Sequence, residues 1–160
     1  MGKTLVAYFS AGGNTADAAK IIADTLSADI YEITPKEKYT REDLNWRSKT
    51  SRTTVEMSDK SFRPAIESAE IDLTDVDTVF LGFPIWWYVA PTIVNTFLEA
   101  NDFSGKRIVL FATSGGSGFG KTVQGLANSV SKDTVIEEGR VFNAGFSPED
   151  IAAFAKNAAE

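Results

Sequence analysis

Three short stretches of this 160-residue chain are apolar almost without interruption: residues 3–9 (KTLVAYF), 78–83 (TVFLGF) and 107–113 (RIVLFAT). A strand with one wet face alternates apolar and polar side chains. A strand buried on both faces does not, and such burial belongs to parallel sheets covered by helices on each side. The intervening segments carry helical spacing. Residues 16–27 put Ala18, Ile21, Ile22, Thr25 and Leu26 on one face, and residues 91–100 begin with Pro91, which a first helical turn accepts. Residues 147–158 open on Ser147-Pro148-Glu149-Asp150, a capping serine followed by proline and two acids. Residues 29–34 (DIYEIT) alternate like a half-exposed strand, a helix is expected to run to about residue 130, and residues 133–142 supply a last strand.

This alternation predicts an α/β fold. The expected form is an open doubly wound five-stranded parallel sheet of order 2-1-3-4-5, with about five helices in a three-layer α/β/α arrangement. The length suits a single domain over residues 1–160 that needs no metal or disulfide staple. Residues from about 35 to 72 break the pattern. They carry Tyr39, Trp46 and Phe62 among many Ser, Thr, Lys and Arg, and are expected to be irregular and either functional or partly disordered.

The chain has no cysteine and no histidine. That excludes disulfides, thiolate nucleophiles, cysteine-ligated clusters, zinc fingers, Ser-His-Asp triads and imidazole bases, and leaves carboxylates, Lys, Tyr or a borrowed cofactor to do any proton or electron chemistry. No metal site and no catalytic side chain is predicted. A net charge of −6 argues against nucleic acid as a partner. The charge is uneven, since residues 36–63 hold eight Lys/Arg against five Asp/Glu. No apolar run reaches the roughly 18–20 residues of a membrane span, and residues 1–10 lack the order of a signal peptide. No membrane partner and a cytoplasmic location are therefore expected.

The three apolar runs are each followed by an unusual loop, at the strand ends where open α/β sheets bind ligands. The first is Ser10-Ala11-Gly12-Gly13-Asn14-Thr15, whose glycines allow a tight turn into a helix N-terminus suited to an anion. With no Lys or Arg between Lys3 and Lys20, binding there would rely on backbone and hydroxyl donors. The second is Pro84-Ile85-Trp86-Trp87-Tyr88, where adjacent aromatics offer a wall to a flat π-system, unless one Trp enters the core and the other packs on a helix. The third runs through Thr113, Ser114, Gly115, Gly116, Ser117 and Gly118, and its glycines let backbone N–H groups reach a ligand edge. Residues Gly115 to Thr122 also satisfy the P-loop pattern G-x-x-x-x-G-K-[ST]. Only 38 residues follow Thr122 and none forms a strand ending in an Asp suited to Mg²⁺, so a nucleoside triphosphatase is disfavoured. An anion cradle, an aromatic wall and a glycine-rich hydrogen-bonding loop together fit FMN, which has one phosphate, a polar spacer and a flat ring.

Three segments carry a family resemblance: LVAYFSAGGNT at Leu5–Thr15, VFLGFPIWWYVAPT at Val79–Thr92, and GKRIVLFATSGGSGFG at Gly105–Gly120. In this order the chain resembles the flavodoxin family, in particular bacterial flavodoxin-like FMN proteins with a Pro-Ile-Trp-Trp loop. The resemblance implies a flavodoxin-like fold and FMN as cofactor. Ser10, Asn14 and Thr15 with the backbone of residues 11–14 would hold the phosphate, Pro84 to Tyr88 would flank the isoalloxazine, and Thr113 to Gly118 would meet its pyrimidine edge. Relatives often carry Arg-Thr in the first loop where this chain has Ala11-Gly12-Gly13, and Gly after the Trp pair where it has Tyr88. Three functions remain open: an electron-transfer flavodoxin served by a redox partner protein, an NAD(P)H-dependent FMN oxidoreductase acting on quinone-like substrates, and a non-catalytic binding module. Arg47, Lys49 and Arg52 are available in the second case to meet a phosphate.

Overall fold

The structure, a computed structural model, describes residues 3–10, 13–45, 47–59, 61–67, 71–114, 118–142 and 147–159. Strands β1 (Lys3–Tyr8), β2 (Asp29–Glu32), β3 (Val76–Pro84), β4 (Arg107–Thr113) and β5 (Val135–Phe142) form one parallel sheet in the order β2-β1-β3-β4-β5. This is the expected architecture and strand order. The chain steps from β1 outward to β2, then crosses back to β3 on the other side, so the switch point lies between β1 and β3.

Strand parity sorts the apolar runs into two cores. Leu5, Ala7, Phe9, Val79, Leu81, Phe83, Ile108, Leu110 and Ala112 face one side, under Ile93, Val94 and Phe97 of α3 (Thr92–Ala100). Val6, Tyr8, Phe80, Val109 and Phe111 face the other, under Ala18, Ala19 and Ile22 of α1 (Asn14–Leu26) and Ile151 and Ala155 of α5 (Pro148–Ala159). Each of the large side chains buried here contributes roughly 1.5–3 kcal/mol, which is why the runs are apolar on both parities. The buried face of α1 is mostly alanine, so that helix lies close on the sheet.

The structure differs from expectation in detail. The described part of residues 35–67 is not wholly irregular. It contains a six-residue helix, α2 (Arg52–Met57), and an antiparallel bridge between Pro35 and Ile66. Ser51 caps α2, its hydroxyl accepting from the Thr54 N–H. A helix of fewer than two turns shows no apolar period in sequence, and so was not expected. Trp46 lies outside the described residues. Helix α4 (Thr122–Ala127) ends short of residue 130 because the Ser129 N–H turns back to the Leu126 carbonyl at 2.9 Å. Among the described residues no helix is long and apolar enough to cross a membrane.

The β4–β5 ladder slips between Leu110 and Phe111, passing from Leu110↔Glu138 to Phe111↔Arg140. Gly139 is the extra residue, and a Cβ there would come within 2.2 Å of the Leu110 carbonyl oxygen and 2.7 Å of the Phe154 ring. Gly139→Ala should therefore lower stability by about 1–3 kcal/mol, read as a shifted denaturation midpoint with an unchanged slope. A variant as stable as the parent would show that the bulge opens without cost.

Candidate functional site

The central strands are paired so that Tyr8, Gly82 and Phe111 lie side by side, and β3 and β4 end together at Pro84↔Thr113. The three loops singled out in sequence therefore leave the sheet along one edge. They are also tied to one another. The Ile85 N–H donates to the Thr113 carbonyl at 2.9 Å, joining the second loop to the third. Thr15 and Thr113 share a buried hydroxyl–hydroxyl bond of 2.8 Å, joining the start of α1 to the end of β4. Parity makes the second link possible, since Thr113 follows Val109 and Phe111 on the face that packs against α1.

In the first loop, Gly13 has φ +96° and its N–H donates to the Ser10 hydroxyl at 3.0 Å. The first intrahelical bond of α1 runs from the Asp17 N–H to the Gly13 carbonyl. The N–H groups of Asn14, Thr15 and Ala16 thus precede the helical ladder and form an anion-seeking end. Thr15 is buried and its hydroxyl committed to Thr113, while Asn14 is exposed. Ala11 and Gly12 lie outside the described residues.

The second loop folds back on itself. Trp86 and Val89 exchange backbone hydrogen bonds of 3.0 and 3.1 Å, leaving Trp87 and Tyr88 as a two-residue turn with φ of +50° and +66°. Turns with both central residues at positive φ usually carry Asn-Gly, and a bulky aromatic at such a φ costs on the order of 1–3 kcal/mol. The turn leaves both side chains exposed. Trp87 is 42% and Tyr88 71% exposed. Gly120 backs the turn so closely that a Cβ there would stand 2.2 Å from the Tyr88 carbonyl oxygen.

Trp86 is the anchor. It is half-buried, meeting Phe9 edge-on at 5.6 Å and Tyr39 at 5.5 Å, and these two meet each other at 5.6 Å. Tyr39 is held in turn by the segment that looked irregular in sequence. Its hydroxyl donates to Glu56 Oε1, Arg52 Nε donates to Glu56 Oε2 at 2.8 Å, and the Arg52 guanidinium lies 3.8 Å from the Tyr39 ring centroid. Arg52 Nη1 also donates to the Glu37 carbonyl at 2.7 Å. Burial, the Glu56 hydrogen bond and the Glu56 charge push the Tyr39 phenol well above its ordinary value. The sequence suggestion that Arg52 meets a phosphate is corrected here, since its guanidinium is taken up by Glu56, Tyr39 and Glu37. Phe9 and Glu56 were not anticipated as supports. Phe9 is the last residue of the first apolar run, and Glu56 shows no local signal.

In the third loop, Thr113 is buried and Ser114 half-buried, its N–H donating to the Phe142 carbonyl at 3.3 Å, and Gly118 is exposed. Gly115, Gly116 and Ser117 lie outside the described residues. The Thr122 hydroxyl of the P-loop-like pattern is fully buried and donates to the Phe119 carbonyl at 2.5 Å, so it is spent on the turn and not offered to a metal. Among the described residues no group of three or more acidic side chains gathers to hold a metal ion.

A flavodoxin family model matches residues 3–158. Two crystal structures of flavoprotein candidates are similar over nearly the whole chain. The one from Bacteroides uniformis is 47% identical, covering 97% of this chain and 98% of its own, with a TM-score of 0.90. The one from Bacteroides eggerthii is 43% identical, covering 100% and 99%, with a TM-score of 0.89. A flavoprotein from Lactobacillus acidophilus, solved in complex with FMN, shares the fold at 20% identity and a TM-score of 0.69, covering 88% of this chain and 93% of its own. No curated protein matches the chain significantly.

Two expectations follow from the supports. Thr15→Val or Thr113→Val alone strands a buried hydroxyl and should cost about 1–3 kcal/mol, whereas the double variant should cost less than the sum, a coupling read from a double-mutant cycle. Tyr39 binds its proton more tightly folded than unfolded, where it titrates near 10.0. Its stabilisation is full below that pH and falls as pH rises above it. The melting temperature of the parent should therefore drop more steeply above about pH 10 than that of Tyr39→Phe. Parallel slopes would sink this assignment.

Proposed function

The chain belongs to the flavodoxin family, and from that premise we propose that it binds FMN across the three loops and acts in electron transfer, with the flavin as redox centre. The observation that carries the reading is the convergence at one sheet edge of an uncapped helix N-terminus and an exposed aromatic pair. The residues fit the group. Asn14, Thr15 and Ala16 present backbone N–H groups to a phosphate with Ser10 beside them, and Trp87 and Tyr88 present faces to a flat ring. The Lactobacillus acidophilus flavoprotein crystallised with FMN supports the same choice of cofactor.

FMN supplies the electron chemistry, which a chain without cysteine or histidine has no side chain of its own to perform. The protein's part is to hold and shield. The first loop binds anionic charge through backbone donors. The strained turn sets the aromatic rings at a fixed angle, and Trp86, locked by Phe9 and Tyr39, keeps that angle. Ser114, Gly115, Gly116, Ser117 and Gly118 complete the edge contacts in this reading. The electrons come from a redox partner protein. The alternative donor is NAD(P)H, which one observation favours: the segment carrying half the chain's Lys and Arg packs directly behind the aromatic loop through Tyr39 and Arg52.

FMN titration followed by tryptophan fluorescence should give saturable quenching, and Trp87→Ala should weaken binding by about tenfold, a typical value for one aromatic stack. Absence of quenching, with a colourless purified protein, would end the flavin reading. With FMN bound, bleaching by NADPH alone would replace the carrier with an NAD(P)H-dependent oxidoreductase, whereas bleaching only by a partner reductase would support the carrier.

A further inference from the structure

Beside the aromatic turn lies a cleft of about 630 Å³ between α3, α4 and the Trp87–Tyr88 turn. Its volume falls within the range of small-molecule sites. Trp87 and Tyr88 line it, but no other described residue assigned to the flavin does, so it meets the flavin loops only at this turn. We propose that this cleft is a second ligand site, and that its ligand is a flat aromatic anion of the arylcarboxylate type.

Three independent observations point there. The first is charge. Acids outnumber bases by 22 to 16 in the chain, yet among the described residues lining the cleft none is Asp or Glu, while Lys121 and Arg63 stand at its rim. Arg63 is shared with Glu99 at 3.0 Å, so Lys121 carries most of the rim's positive charge. The second is an unspent hydroxyl. Thr92 lines the cleft and is 7% exposed, and its Oγ1 is the one buried side-chain polar atom without a hydrogen-bond partner among the described residues. Buried polar atoms are nearly always paired, and a carboxylate oxygen would pair this one. Thr92 is also the first residue of α3, whose N-cap Pro91 offers no side-chain acceptor, so a nine-residue helix begins uncapped at a residue that lines the cleft. The third is shape. The exposed residues Trp87 and Tyr88 line it on the turn, and a Cβ added at Gly125, which lines it on α4, would meet nothing within 4 Å. Asn95 spans the two helices, donating to the Gly125 carbonyl at 3.0 Å and to the Ser129 hydroxyl at 2.9 Å, and so fixes the width of the slot.

The test uses 2-naphthoate as probe and 2-naphthamide as its neutral counterpart, titrated into the full chain by calorimetry with and without saturating FMN. The naphthoate should bind one-to-one, the amide about tenfold or more weaker, and FMN should leave the naphthoate affinity unchanged within about twofold. Thr92→Val should weaken naphthoate about tenfold, and Gly125→Phe, which enters open space, should abolish binding while circular dichroism and melting temperature stay those of the parent. No binding of naphthoate, equal binding of acid and amide, unchanged binding in both folded variants, or displacement by FMN would each overturn the proposal. A chain that fails to bind FMN but keeps the naphthoate responses would sink the flavin reading and leave this one standing.

Discussion

The in-register pairing of β1, β3 and β4 is the constraint from which the rest of the molecule follows. Backbone bonds set Tyr8, Gly82 and Phe111 in one row, so three loops far apart in the chain must emerge together. A parallel ladder repeats its bonds evenly and does not dictate how its ends are trimmed. The trimming here comes from specific groups. Pro84, with no N–H to donate, ends β3 opposite Thr113, and the Thr113 carbonyl then takes the Ile85 N–H. The buried Thr15–Thr113 bond adds α1 to the same corner.

On that corner the aromatic turn is an expensive conformation held by its surroundings. Two aromatic residues at positive φ would relax in an isolated peptide. They persist because Trp86 is pinned before them by Phe9 and Tyr39, and because Gly120 lets the third loop close against the Tyr88 carbonyl. The result is that Trp87 and Tyr88 are exposed while Trp86 is half-buried beside them. A contiguous Trp-Trp-Tyr run thus divides into one structural and two displayed side chains. The same turn is also one wall of the acid-free cleft.

The segment between β2 and β3 gains a role from the same geometry. Glu56 is 4% exposed, and a buried carboxylate is tolerable only when paired and hydrogen-bonded. Arg52 and Tyr39 meet that need at once, and in doing so fix Tyr39 against Trp86. Half of the chain's positive charge therefore travels on a segment anchored beside the aromatic loop, in a molecule whose remainder is strongly acidic.

The fold class and the three loops were legible in the chain because they depend on local periodicity, and the strand order was expected as the usual one for a doubly wound sheet of five strands. Uninterrupted apolar runs that alternate with helical segments point to a covered parallel sheet, and glycine-rich or aromatic loops stand out against them. The supports of the site were not legible. Nothing near Glu56 in sequence announces that it will accept from Tyr39, 17 residues away, and nothing around Thr15 points to Thr113, 98 residues on. The sorting of Trp86 from Trp87 was equally hidden, since a turn with two positive φ values is encoded by neither residue's preference. By itself the sequence determined the five strands, the helices other than α2, and which loops carry unusual chemistry, since these follow from each residue's neighbours. Only the tertiary structure decided which hydroxyls are spent and which, like Thr92, are left over, and which aromatic rings are displayed, since those depend on contacts between residues that the chain itself keeps far apart.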